Sequence, residues 1–277
     1  MVQIMGKVSF DISGKVAVVT GGAGILCSAM SIKLAEFGAK VAVLDLFKDK
    51  AQEVADGIVA NGGDAIAVEC NVLNKESIEK ACKEVMDKYG RVDILINGAG
   101  GNKKEATTSE DMKFFDIPKD ALSWVLELNF LGTVMPTQVF GKVMADQGDG
   151  CVINISSMAA FTPLTKTISY SAAKAAISNF TQWMAVHFAK EYSNKIRVNA
   201  IAPGFLLTQQ NYYLLIDKDT GEATPRGEDV LFKTPMNRYG EPDELVGGVI
   251  YLASEAASFV TGIVLPIDGG FLAFAGV

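Results

Sequence analysis

Tyr170 and Lys174, in the run Tyr170-Ser-Ala-Ala-Lys174, are the side chains of this chain whose spacing most directly suggests chemistry. In a helix, four residues of separation put both on one face, one turn apart. A free tyrosine has a pKa of about 10 and is a poor base at neutral pH. A nearby ammonium favours the phenolate. Lowering that pKa by ~2–3 takes roughly 3–4 kcal/mol, which a close pair shielded from water can supply. Tyr170 can then exchange a proton with an alcohol or carbonyl oxygen during hydride transfer. Ser157 lies thirteen residues before Tyr170, just past the apolar run Cys151–Ile155. It can donate a hydrogen bond to the same oxygen and hold it in place. The chain has one histidine, His187, which lies thirteen residues beyond Lys174 and off its face. His187 therefore reads as structural, and the proton work falls to the tyrosine. A Tyr-xxx-Lys pair by itself is common on exposed helices, so the reading needs a second site beside it.

That second site is near the N-terminus. The run Val16–Thr20 enters Gly21-Gly22-Ala23-Gly24-Ile25 and then a helical pattern. A glycine turn between a strand and a helix lets backbone N–H groups approach a pyrophosphate, and the helix N-terminus adds partial positive charge. The next apolar run ends at Asp45, 24 residues after Gly21. A carboxylate there can accept hydrogen bonds from an adenosine ribose diol. A 2′-phosphate would meet like charge, and Leu46 brings no cation, although Lys48 is near. The expected cofactor is NAD rather than NADP.

The elements that must position these residues follow from hydrophobic period. Val16–Thr20, Val41–Leu44, Ala65–Glu69, Ile94–Ile96, Cys151–Ile155, Ile196–Ile201 and Ile263–Pro266 read as strands. Helical patterns fill the gaps at Ile25–Phe37, Lys48–Asn61, Lys75–Tyr89, Lys119–Gln147, Ser169–Tyr192 and Pro242–Ser254. Strands apolar at successive positions are buried on both faces. Strict alternation with helices predicts a doubly wound parallel α/β sheet of about seven strands, joined by right-handed crossovers. The long mixed segment Phe205–Tyr239 breaks the rhythm and reads as a lid or binding loop.

Composition agrees with one globular unit over residues 1–277. Apolar residues make up 49% and charged residues 21%, and the net charge of −7 argues against nucleic acid and anionic membranes as partners. Cys27, Cys70, Cys82 and Cys151 are scattered, without the spacings of a zinc site. Free thiols in a reducing cytoplasm are expected. The first ten residues contain no long apolar core of a signal peptide. No run approaches the ~18 apolar residues of a membrane span. No metal is expected.

Taken in order, the glycine turn, Asp45, Asn97-Gly98-Ala99-Gly100, Asn129, Ser157/Tyr170/Lys174, Pro203-Gly204 and Asp268-Gly269-Gly270 resemble the short-chain dehydrogenase/reductase family over essentially the whole chain. The resemblance implies a Rossmann-type domain, NAD(P)-dependent interconversion of alcohol and carbonyl, and commonly a tetramer. It implies that Asn129 is the helix-kink asparagine supporting a proton relay, and that Lys174 also bonds the nicotinamide ribose. It brings Asn71, Val72, Asn97, Ala99 and Gly100 to the cofactor, along with Pro203, Gly204 and Thr208 of the loop that meets the nicotinamide amide. Three positions depart from the family pattern. Cys27 stands where the turn's third glycine falls, with Gly24 in place of the second. Asn71 stands where an aspartate is usual, and Gly98 where a second asparagine is usual.

A narrower resemblance, carried by Gly98-Ala-Gly-Gly-Asn102, Asn129-Phe-Leu-Gly-Thr133 and Asn179-Phe-Thr-Gln-Trp183, points to the mannonate oxidoreductase-like (fructuronate reductase) branch. It implies D-fructuronate and D-mannonate as substrate and product. A sugar acid needs a cation or several donors for its carboxylate. Asn102, Lys103, Lys166, Gln209 and Asn211 are the residues expected to meet it. A gluconate 5-dehydrogenase-like or other polyol dehydrogenase is the alternative, and a non-catalytic dinucleotide-binding module is a third reading. The apolar faces of the two longest helices predict an oligomer, with the tail Phe271–Val277 packed across a subunit interface.

Overall fold

The computed structural model describes residues 8–208 and 211–276. Seven strands form one sheet: β1 (Val16–Thr20), β2 (Lys40–Asp45), β3 (Asp64–Glu69), β4 (Ile94–Asn97), β5 (Gly150–Ile155), β6 (Ile196–Pro203) and β7 (Val264–Ile267). Their order across the sheet is β3-β2-β1-β4-β5-β6-β7. Every pairing is parallel. Strands β1, β4, β5 and β6 are buried at every residue, as their unbroken apolar runs require. β7 is the half-exposed edge, and Pro266 on it removes one ladder donor.

Helices α1 (Ile25–Glu36), α2 (Lys48–Ala60) and α9 (Val246–Ala253) cover one face of the sheet. There Met30, Leu34, Ile58, Val249 and Leu252 pack on Ala17 and Val19. Helices α3 (Lys75–Tyr89), α5 (Gly132–Gln147) and α6 (Ile168–Glu191) cover the other. There Ile78, Val85, Phe140, Met144 and Phe188 pack on Val16 and Val18. Successive β1 side chains thus feed opposite cores, as strand geometry dictates. Each large side chain so buried contributes about 1.5–3 kcal/mol.

Local chemistry sets the element ends. Asn74 caps α3 by accepting a hydrogen bond from Ser77 N at 2.7 Å. Left-handed glycines, Gly90 and Gly148, end α3 and α5. The single long helix expected over Lys119–Gln147 is interrupted. α4 (Lys119–Leu126) passes through a π turn at Glu127–Leu131 before α5 begins. Asn129 lies inside that turn.

The connection order reverses between β1 and β4, so their crossovers leave to opposite faces and open a crevice at the carboxyl ends of the strands. Thr20, Asp45, Asn97, Ile155 and Pro203 all end strands on that edge. Phe205, Leu206, Thr208 and Asn211, from the segment read as a lid, border it, and that segment goes on to α7 (Tyr212–Leu215) and α8 (Pro225–Lys233). The C-terminal tail makes aromatic contacts within its own chain and stays partly exposed there. Phe271 lies against Phe205 at 5.6 Å and Phe274 against Phe232 at 5.9 Å between ring centroids. Segment and tail thus supply apolar partners for one another, although Phe232 remains largely exposed.

Candidate active site

The crevice is a cleft of about 450 Å³, and its lining joins the two clusters picked out in the sequence. Gly21, Gly24, Ile25 and Asp45 lie along one part. Ala99 and Gly100 form its floor, and Ser157, Tyr170, Pro203, Gly204 and Thr208 the other part.

At the first part, Gly21 takes a left-handed φ of +62°, and Gly24 is the N-cap of α1. No side chain caps this helix and its first turn holds no acidic residue. Its leading N–H groups are therefore free to bind an anion. Asp45 is fixed by two backbone donors, Ala23 N and Phe47 N, each at 3.1 Å. Free helix N–H groups at one point and an anchored carboxylate at another fit the pyrophosphate and ribose diol of a dinucleotide. Gly22 turns away from the cleft. A Cβ there would meet Val43 Cγ1 at 2.7 Å, so this glycine serves packing between the turn and β2.

At the second part, Tyr170 and Lys174 share a face of α6, with Lys174 Nζ 5.4 Å from the Tyr170 ring centroid. Lys174 is 5% exposed, and its Nζ donates to Ile155 O at 2.8 Å. That carbonyl is its one hydrogen-bond acceptor among the described residues. Burial pushes the Lys174 ammonium down to about 8, opposed by Cys27. The expected depression of Tyr170 is absent here. Burial raises its pKa above the ordinary value, and the Ser157 hydroxyl pulls the other way. The ammonium sits over the ring and donates to Ile155 O, and the loss of water at the phenol prevails. Ser157 is itself held by Ala159 N, which donates to its Oγ at 3.1 Å.

Asn129 is fully buried and clamps the floor. Its Nδ2 donates to Gly101 O at 2.7 Å and to Val125 O at 2.8 Å, while its Oδ1 accepts from Gly101 N at 3.2 Å. A Cβ on Gly100 would lie 2.7 Å from that Oδ1 and 3.5 Å from Lys174 Nζ. Glycine at 100 thus lets the floor, the asparagine and the lysine come together.

Several expected residues lie elsewhere. Asn97 is buried behind the floor, and its Nδ2 donates to Thr137 Oγ1 at 2.9 Å and Asn154 Oδ1 at 2.8 Å. Asn71 turns its Oδ1 onto Leu73 N, and Val72 packs against Gly132. Neither lines the cleft. Of the substrate residues, Asn102 bonds Thr107 Oγ1 at 2.9 Å. Lys103 holds its ammonium over the Trp124 ring at 5.4 Å. Lys166 lines a separate apolar groove with Phe114 and Ile168. Asn211 does reach the cleft. Its amide is taken by Thr208 N and Leu206 O, both at 2.8 Å, so it shapes the lid and offers a substrate little. Gln209 lies outside the described residues. His187 stacks on Trp183 at 4.7 Å, away from the cleft.

Met158, Leu164 and Leu206, which add apolar wall, carry no distinguishing signal in the sequence. Thr20 could have been noticed as a polar end to an apolar strand. Its Oγ1 accepts from Gly98 N at 3.1 Å and Ala99 N at 3.3 Å, tying the floor to β1.

Comparison with known proteins gives a concordant result. Residues 23–272 match the family model described as enoyl-(acyl carrier protein) reductase. The uncharacterized oxidoreductase UxuB of Bacillus subtilis is 48% identical, covering 96% of this chain and 98% of its own. A crystal structure of a candidate D-mannonate oxidoreductase from Haemophilus influenza, with bound NAD, superposes with a TM-score of 0.90 at 47% identity. It covers 96% of this chain and 98% of that one. A candidate gluconate dehydrogenase from Agrobacterium tumefaciens gives a TM-score of 0.87 at 29% identity, covering 97% and 100%. With its cleft, its Ser157/Tyr170/Lys174 set and these relatives, the chain belongs to the short-chain dehydrogenase/reductase family of oxidoreductases, which act on alcohol and carbonyl substrates.

Proposed function

We propose that this protein is an NAD-dependent oxidoreductase that interconverts the ketone and alcohol of a sugar acid, with D-fructuronate and D-mannonate as the pair. The observation that carries the reading is that Ser157 and Tyr170, with Lys174 beside them, share one cleft with the glycine turn and Asp45. The candidate D-mannonate oxidoreductase with bound NAD supports the substrate and the cofactor. Residues 1–277 act as one unit.

In this reading Asp45 takes the ribose diol, and the α1 N-terminus with Gly21, Gly24 and Ile25 takes the pyrophosphate. Pro203, Gly204 and Thr208 border the nicotinamide. Bound NAD supplies hydride transfer. Ser157 donates a hydrogen bond to the substrate oxygen and fixes its position. In reduction Tyr170 Oη gives its proton to that oxygen; in oxidation it takes the proton back. Lys174 favours the phenolate once its ammonium is drawn toward the site, and Asn129 holds the floor against which both work. The anchored carboxylate of Asp45 disfavours a 2′-phosphate, which supports NAD over NADP.

Tyr170→Phe tests the chemistry. Turnover is expected to fall by about 10²–10⁴-fold or more, with NADH binding retained; full activity in that variant refutes the mechanism. A panel of keto acids and polyols with NADH or NAD tests the substrate, and inert fructuronate and mannonate reject the pair. The gluconate dehydrogenase neighbour makes 5-ketogluconate the first alternative in that panel. We also propose a homotetramer in the cytoplasm. Trp183 and Val186, each 57% exposed on α6, leave an apolar face to cover, and all four thiols are buried and unpaired. Light scattering that shows a monomer at micromolar concentration refutes the assembly.

A further inference from the structure

We propose that Cys27 and Gly98 are a coupled pair of positioning residues that together set the spacing between the cofactor turn and the cleft floor. The proposal rests on the cleft being a dinucleotide site and is independent of the substrate.

Cys27 stands in the first turn of α1 and is 5% exposed; Gly98 follows β4 on the opposite side of the crevice. A Cβ at position 98 would lie 2.1 Å from Cys27 Sγ. That is an overlap, so the thiol occupies the volume a side chain at 98 would need. The same Cβ would lie 3.6 Å from Cys27 Cβ, an ordinary contact. Within Cys27 the conflict is therefore with the sulfur, beside a lesser overlap of 2.9 Å with the backbone oxygen of Thr20. The family pattern has a glycine at the position of Cys27 and an asparagine at that of Gly98. Two departures that look separate in the sequence are one event in space, with bulk moved from one side of the gap to the other.

The gap matters because its two walls hold different parts of the site. On one wall, Gly21 at φ +62° would place a Cβ 2.8 Å from Ala99 Cα, and Thr20 Oγ1 receives both Gly98 N and Ala99 N. The turn and the floor are thus in contact along their length. A shift at 98 moves the start of α1, whose free N–H groups face the cleft. It also moves Gly100, against which Asn129 and Lys174 stand. Cys27 has no nucleophilic part in this. Burial pushes its thiol up to about 12, and it acts by filling space.

The test is a double-mutant cycle with Cys27→Ala, Gly98→Ala and the double variant, titrated with NADH by protein-to-nicotinamide energy transfer. Apo melting temperature is measured alongside. Gly98→Ala is expected to weaken NADH by about tenfold or more, because the overlap must be relieved by backbone movement. Cys27→Ala alone is expected to weaken it by about threefold or less, since it only opens a small void. The double variant is expected to bind at least about fivefold more tightly than Gly98→Ala. Rescue stays incomplete because a Cβ at 98 also lies 2.9 Å from Thr20 O. The apo melting temperatures should show the same non-additivity. In turnover, the Gly98→Ala loss should fall on KM for NADH more than on kcat, and Cys27→Ala should reverse it. A double variant no tighter than Gly98→Ala, or a Gly98→Ala protein that binds as wild type does, overturns the coupling. Should Gly98→Ala fail to fold, a soluble, NADH-binding double variant supports the pair and an insoluble one overturns it. Wild-type protein that binds no NADH would instead sink the dinucleotide reading, which keeps the two failures distinct.

Discussion

Lys174 offers the sharpest physical test, because its ammonium is held in the protein at a cost. It is 5% exposed, and its pKa falls from the ordinary 10.5 to about 8 through burial. A folded-state value below the unfolded one means that the unfolded chain binds more protons between those pH values. Stability must then rise with pH across that window. Below pH 8 the lysine is charged in both states and the full penalty applies, about 3 kcal/mol. Between pH 7 and 9.5 roughly 2 kcal/mol of it is recovered as the folded lysine loses its proton. Lys174→Met removes the titrating group while keeping similar bulk. The measurement is urea unfolding of the cofactor-free protein at both pH values, for wild type and variant. Other titrations cancel in the difference. Wild-type stability minus variant stability should increase by about 2 kcal/mol on going from pH 7 to 9.5. Turnover in the variant should drop by at least about a hundredfold at either pH. A difference that is flat with pH, or that falls, would show that Lys174 is not held below its ordinary value, and the argument that the site stores a desolvated ammonium would fail with it.

Two further outcomes follow from the geometry. Asp45→Ser removes the carboxylate anchored by Ala23 N and Phe47 N; it should move the NADH-to-NADPH ratio of kcat/KM toward NADPH by about tenfold or more, and an unchanged ratio would remove Asp45 from cofactor choice. Asn154→Ala strips the fully buried Asn97 and Thr181 of a partner each and should cost about 1–3 kcal/mol in urea unfolding, whereas a loss within error would mean that this polar chain contributes nothing to holding β4 and β5 against α5 and α6.

What could be read from sequence was what depends on near neighbours. The ends of β1 and α3 were legible to the residue. β1 is apolar up to Thr20 because both its faces are covered, and α3 carries its own start and stop signals in Asn74 and Gly90. The Tyr170–Lys174 face was legible because one helix fixes it. The departures arise where a distant partner decides. Lys103 reads as a substrate cation until Trp124, far along the chain, takes its ammonium. Asn97 reads as a cofactor ligand until Thr137 and Asn154, 40 and 57 residues away, engage its amide. Asn211 reads as a polar contact for a polyol, but the lid's own backbone uses both ends of its amide. A polar side chain announces its capacity to bond, and only the fold determines which group it bonds. The strand order is of the same kind, since alternation implies a parallel sheet without specifying that β1 and β4 lie side by side.

The charge pattern of the cleft limits how the proposed substrate can sit. No lysine or arginine is among the described residues that line it. Lys174 stands beside Tyr170 with its Nζ on Ile155 O, and Arg238, which lies near the lid, is committed to Glu244 in a two-pronged ion pair. A sugar acid's carboxylate buried deep in such a cleft would lack a countercharge and would cost far more than hydroxyl contacts return. The reacting carbon must still lie against Tyr170 and Ser157. These two demands are met together only if the carboxylate is at the end of the molecule remote from the reacting carbon and points out of the cleft toward water and the lid. A keto acid with its carbonyl adjacent to the carboxylate would drag the charge inside. The wall of Met158, Leu164 and Leu206 makes that placement worse, because it offers the anion no hydrogen bond. On the proposed reading, selection among sugar acids would therefore turn on the distance between charge and carbonyl, a property set by what the cleft lacks as much as by the residues it contains.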